Sequence, residues 1–277
     1  MHKVVSQIEA QLTLCGDSVE FNGTTYVPSS SLAFLTFEVA HSFPAYTTAS
    51  QAIMPEVLAR SFKSLTLTPL DFEHAIAAYH PSQPAMQDRI IGTVVAVQLV
   101  TPGNRIKVYA DKSKAPFVRG IASVFKVANG AAVAFGRHIS GDKKLSVSME
   151  VSWALEDSAF AIALGPGVAR VLSDTPPDAL AAGWEIIPYA KADRYLRGTY
   201  SAKASCVTGF YQGRKTIMLM GGMDSAVEFL GLGVVGNPAS REAKITRVWT
   251  GTDTDKELKS VASAIKPQPF SASSGLC

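Results

Sequence analysis

The sequence predicts a mostly β fold of α+β type, and three observations predict it. Apolar residues between Asp71 and Val127 come in short β-branched runs such as Ile90-Ile91-Gly92-Thr93-Val94-Val95. The segment Leu145 to Trp153 alternates strictly, with Val147, Met149, Val151 and Trp153 on one face and Ser146, Ser148, Glu150 and Ser152 on the other. One stretch, TTASQAIMPEVLARSFKSL, stands out as helical.

Taken in order, residues 1–45 alternate weakly around the turn signals Gly16-Asp17 and Asn22-Gly23, which predicts short strands and hairpins. In the helical stretch Met54, Val57, Leu58 and Phe62 share a face behind Thr47, Thr48 and Ser50 as N-caps, and Pro55 suits a first turn. That face should pack on a sheet. Ile106-Lys107-Val108-Tyr109 reads as a strand after the turn Pro102-Gly103-Asn104. Gly165-Pro166-Gly167 and Thr175-Pro176-Pro177-Asp178 break residues 165–200 into loops around a short helix near Ala179 to Ala182. Lys215 to Met220 and Leu230 to Val235 read as buried strands, and the closing KPQPFSASSGLC is tail-like. There is no fixed-period repeat and no heptad pattern.

With 277 residues, 47% of them apolar, the chain is long enough for its own core and is neither disordered nor collagen-like. Lys+Arg 26 against Asp+Glu 23 leaves +3, and charged residues are 18% of the chain, below the ~25% of an average soluble domain. A nucleic-acid partner is therefore not expected. Cys15, Cys206 and Cys277 form no C-x-x-C pair, which points to a reducing compartment. The N-terminal segment lacks a signal-peptide core and no stretch is apolar enough to span a bilayer, so the chain reads as soluble and unexported. His2, His41, His74, His80 and His138 show no metal-ligand spacing, and no cofactor is expected.

Two phosphate-binding patterns fail on context. Met220-Gly221-Gly222-Met223-Asp224-Ser225 resembles the S-G-G-x-D-S loop of ATP pyrophosphatases, but Met220 replaces the leading Ser and too few residues follow for such a domain. Gly231-Leu232-Gly233-Val234-Val235-Gly236 fits G-x-G-x-x-G, yet Asn237-Pro238 follows where a helix must begin. Glycines that let a strand lie close to a neighbour explain it better.

Three separated segments remain. The first is Asp71-Phe72-Glu73-His74-Ala75, followed after a polar loop by Asp88-Arg89-Ile90-Ile91-Gly92-Thr93-Val94. The second is Leu145-Ser146-Val147-Ser148-Met149-Glu150-Val151. The third is Leu232-Gly233-Val234-Val235-Gly236-Asn237-Pro238-Ala239-Ser240-Arg241-Glu242-Ala243. In this order and at this spacing they resemble the prohead maturation proteases of tailed bacteriophages, which share a fold and serine-protease logic with the herpesvirus assembly proteases. The first looks like that family's histidine strand and the I-G-x-V strand after it, and the second like its nucleophile strand. The third is similar to its S-L-V-x-x-P-A-N-P-E-A signature, with Ser240 and Arg241 replacing the Asn and Pro. Together with the helix at 51–64, the resemblance covers residues 35–245.

Peptide cleavage by serine needs a base within hydrogen-bond reach and a third group that orients the base. The resemblance implies His74 as base and Ser148 as nucleophile. Ser148 is preferred to Ser146 because V-S-x-E with a following apolar residue aligns better, but the two share a face and a slip of two residues keeps Ser146 open. Without the resemblance, Ser146, Ser148 and Ser152 read as the solvated side of a strand and His74 as a packed histidine. Family members often carry a carboxylate seven residues before the Pro of the third motif, where this chain has Gly231. Glu150, two residues beyond Ser148 on the same face, is the substitute, with Glu228 and Asp174 behind it, and a histidine or a water stays open for the orienting role.

The resemblance further implies a closed or near-closed β-barrel with peripheral helices, in which the strands of His74 and Ser148 come together. It implies an enzyme in the host cytoplasm, inside the immature capsid, cutting scaffold protein, the major capsid protein and itself, with self-association and no call on nucleic acid or membrane. Motif order favours one domain over 1–245 and an extension over 246–277. Two rivals stand: a head structural or scaffold-associated protein that keeps the fold without turnover, which Gly231 suits, and an ATP pyrophosphatase using Asp224.

Overall fold

The computed structural model describes residues 18–72, 90–126, 145–165, 175–196, 200–201, 206–207, 210–211 and 213–249. Asn22 and Gly23 take positive φ of 51° and 75°, the twist that a two-residue hairpin loop requires. They join β1 (Val19–Phe21) to β2 (Thr24–Tyr26), as the sequence predicts.

Seven strands, numbered in chain order, lie side by side in the main sheet as Lys244–Trp249 (β16), Leu32–Val39 (β3), Phe117–Phe125 (β7), Ile90–Val100 (β6), Pro69–Phe72 (β5), Glu228–Val235 (β15) and Ser146–Ser152 (β8). Neighbours run antiparallel except β5 and β15, which are parallel. Period-two alternation sorts each strand. On β3, Ala33, Leu35, Phe37 and Val39 face the core with Val118, Ala122 and Val124 of β7 and Leu70, Leu232 and Val147 at the other end. Phe34, Thr36 and Glu38 face outward, where Phe34 packs with Val19, Phe21, Ile121 and Trp249.

Register shifts interrupt β6 between Val94 and Ala96, β15 between Phe229 and Gly231, and β16 between Ile245 and Arg247. Such irregularities bend strands and increase twist, and the sheet curls into a half-barrel. Its edges β8 and β16 approach where Ser146 Oγ donates to the Ala243 carbonyl at 2.5 Å, but among the described residues no ladder joins them. The expected closed or near-closed barrel is corrected accordingly: among the described residues a side-chain hydrogen bond, rather than strand pairing, spans the seam. β16 also continues to Trp249, so the boundary expected at 245 cuts through a strand paired with β3.

A second sheet contains Trp184–Pro188 (β10), Ala159–Ala163 (β9), Arg214–Met220 (β14) and Phe210–Tyr211 (β13), with Gln51–Ile53 (β4) parallel to β14. Ala52, Ala159, Ala161, Ile186, Ile217 and Leu219 join the half-barrel's core. Phe160, Ile162, Ile187 and Met218 face the other way, where Ala192 of helix Tyr189–Leu196 covers them. A two-stranded ladder pairs Tyr200–Ser201 (β11) with Cys206–Val207 (β12).

The helix expected from Thr47 starts later. Gln51–Ile53 is drawn into β14's ladder, so α1 spans only Pro55–Ser61, with Met54 as N-cap, Pro55 in the first turn and a 3₁₀ turn at Phe62–Leu65. Met54, Val57 and Leu58 are buried as predicted. The short helix near Ala179 is present as α2 (Pro177–Ala181), while β9, β10 and α3 (Tyr189–Leu196) went unpredicted. Ile106 to Tyr109 forms no strand. Val108 N–H donates instead to Asp178 Oδ2 at 2.6 Å.

Candidate active site

The alternation of Ser146 to Ser152 makes β8 a strand, and Val147, fully buried, anchors its inner side. An ordinary edge strand would leave the other side in water. Here Ser148 and Glu150 are each only 5% exposed, whereas Ser152 is exposed. Burying a hydroxyl and a carboxylate on the outside of a sheet costs free energy, which singles these two positions out from a solvated face.

Register explains what surrounds them. On β15, Gly233 lies opposite Ser148 and Gly231 opposite Glu150, while on its other side Gly233 pairs with Asp71 of β5. Paired residues project to one face, so Ser148, Gly233 and Asp71 form a single row across three strands. Asp71 is fully buried. The glycines that match G-x-G-x-x-G are therefore a bare strip between a serine strand and an aspartate strand, in keeping with the rejection of a dinucleotide loop.

Ser146 and Ser148, left open by the sequence, are separated by their partners. The Ser146 hydroxyl is committed to the Ala243 carbonyl across the seam, and Ser148 lies in the glycine row. Glu150 stands cross-strand from Gly231, the position at which the resembling family often has its acid. Glu228 pairs with Ser152 at the exposed end of β15 and does not join the row. His74 and Asp174 lie outside the described residues, as do His2, His80 and His138.

His41 is described, just past the end of β3. It stacks on Phe117 with centroids 4.8 Å apart, and burial pushes its pKa down against the opposing pull of Glu242 and Glu38. Gly221 and Gly222, at φ of 69° and 57°, build the turn from β14 to β15. Their turn is closed by Gly222 N–H to Leu219 O and Ser225 N–H to Gly221 O, and a Cβ on Gly222 would fall 2.2 Å from Asp157 O. Those amides serve the chain, and the loop has the form of a strand connection rather than a phosphate cradle. Among the described residues no three His, Cys, Asp or Glu side chains gather as metal ligands, and no helix is long and apolar enough to cross a membrane.

Sequence reasoning missed Asp71 as a site residue. Its one signal was its place in the Asp71-Phe72-Glu73-His74 segment; the parallel pairing that brings it opposite Gly233 leaves no local periodicity. Compared with protein-family models, curated proteins and solved structures, the chain matches none.

Proposed function

We propose that this protein is a serine endopeptidase of the prohead-maturation kind, with Ser148 as nucleophile, His74 as base and a neighbouring carboxylate, Glu150 in the sequence reading, supporting the base. The single observation that carries the reading is the burial of Ser148 beside Glu150 on a glycine-bared outer face, where a plain amphipathic strand would be wet. In the reaction Ser148 Oγ attacks the scissile carbonyl carbon as its proton passes to the base. The proton then goes to the leaving amine, and water hydrolyses the acyl-enzyme. Substrates under this reading are scaffold protein, the major capsid protein and the protease itself, in a prohead in the host cytoplasm.

The test is coexpression with the cognate capsid and scaffold proteins, wild type beside Ser148→Ala and His74→Ala. Wild type should shorten its partners and both variants should leave them full-length. Intact partners with the wild type would favour the rival structural role, and cutting by Ser148→Ala would remove Ser148 as nucleophile.

A further inference from the structure

β6 outruns its neighbour on one side. β7 pairs with it from Gly92 to Val100, but β5 reaches only to Thr93. Past that point Leu67 N–H donates to Val94 O at 2.8 Å and Val94 N–H to Thr68 O at 2.9 Å. Among the described residues no backbone hydrogen bond follows on that side. Every second residue of a strand turns its N–H and C=O away from a given neighbour, so Val95 to Val100 present a length of open edge within the sheet. Natural edges commonly carry charges or proline that discourage pairing. Val95-Ala96-Val97-Gln98-Leu99-Val100 carries neither, and uncharged segments of this length and β propensity are the ones that pair most readily.

This edge borders a groove of about 810 Å³. Phe62, Lys63 and Thr66 line it from the 3₁₀ turn, Val97 and Leu99 from β6, and Ile106, 45% exposed, from the loop beyond. Phe62, Val97 and Leu99 rest on the main core, so apolar surface and open backbone groups meet in one place. Among the described residues Lys63 is the charged residue of the lining and no acid joins it, while exposed Arg105 adjoins Ile106. We propose that the groove takes an extended segment of a partner protein, added to β6 as a further strand, with apolar residues at alternate positions and an acid toward Lys63. Main-chain hydrogen bonds to β6 hold the segment, and every second side chain lies against Phe62, Val97 and Leu99. A second copy paired through the same edge would bring a second Lys63 and a second 3₁₀ turn into the groove, which favours a lone segment. The inference is independent of the serine-peptidase reading.

The experiment titrates the full-length protein into a fluorescent peptide of alternating valine and threonine with a glutamate at each end, read by polarisation, with thermal melting of every variant. Wild type should bind saturably, and hydrogen exchange at the Val95 to Val100 amides should slow about tenfold with the peptide bound. The same peptide N-methylated along its centre has no N–H to give and should bind about tenfold more weakly. Ile106→Asp should weaken binding of the plain peptide by about tenfold, and Lys63→Glu should prefer a lysine-ended peptide to the glutamate-ended one. No saturable binding at millimolar peptide, equal binding of the N-methylated peptide, or unchanged exchange over 95–100 overturns the strand site. Sedimentation of the wild type as a dimer that Ile106→Asp splits overturns it as well and gives the edge to a second copy. Should Ile106→Asp not fold, the exchange and N-methylation results on the wild type decide.

Discussion

Two rows of three residues cross the outer face of the same sheet at opposite ends, and they are filled in opposite ways. In one, Glu38 of β3 sits between Lys244 of β16 and Arg119 of β7, at 3.0 Å from each, with the cations 55% and 46% exposed. In the other, Gly233 sits between Ser148 and Asp71, both buried. Cross-strand pairing is what a sheet face ordinarily uses to stabilise itself, and the first row does so. The second has a residue without a side chain at its centre and keeps its polar ends out of water. A glycine between two buried polar groups sets this row apart from one held by ion pairs.

A glycine can also hold such a place for purely steric reasons, and the sheet supplies the control. Gly92 of β6 faces the core, where a Cβ would lie 1.9 Å from the Ser123 carbonyl oxygen on β7. Gly92→Ala should therefore push two paired strands apart and cost about 3 kcal/mol in urea unfolding. This is the largest effect expected. Gly120→Ala meets the Phe37 ring first, 2.3 Å from the built Cβ, and a ring can shift where a backbone cannot, so about 1–2 kcal/mol is expected. If Gly233→Val proved as destabilising as Gly92→Ala, the second row would belong with these packing glycines and the contrast would be lost.

Ser146 sharpens the contrast along β8 itself. Ser146→Ala removes the hydrogen bond to Ala243 that spans the seam, and should cost about 1 kcal/mol while fluorophosphonate labelling of Ser148 stays at the wild-type rate. Loss of labelling without loss of stability would move the nucleophile two residues along the strand.

How much of this was legible in the sequence depends on the range of the cause. Val147 against Ser148 is a two-residue alternation, and Asn22-Gly23 is a local φ requirement, so β8 and the first hairpin could be read directly. Ala159 to Ile162 is buried on both faces and shows no alternation, which hid β9. Ile106 to Tyr109 has strand composition, but its backbone is held by Asp178, and the Tyr109 hydroxyl donates to Gly103 O at 2.6 Å. In the site, Ser148 and Glu150 were readable as a shared face. Asp71 was not, because its place opposite Gly233 depends on pairing two segments far apart in the chain.

The smallest effect is expected at the filled row, and its sign follows from charge. Burial pushes the Glu38 carboxyl up, but the hydrogen bonds and charges of Lys244 and Arg119 outweigh it and hold the pKa below 4.5. A carboxylate whose pKa falls on folding adds stability that is full above the unfolded value and is lost as pH drops through the folded one. Glu38→Gln should thus cost about 0.5 kcal/mol near neutrality, less in high salt, and almost nothing once pH lies below the folded value. Unfolding curves at neutral and acid pH decide it, and Ser148 labelling should be unaffected throughout. An equal cost at both pH values would make Glu38 a matter of shape rather than charge. The two rows would then differ only in what fills them and not in the kind of interaction each is built for.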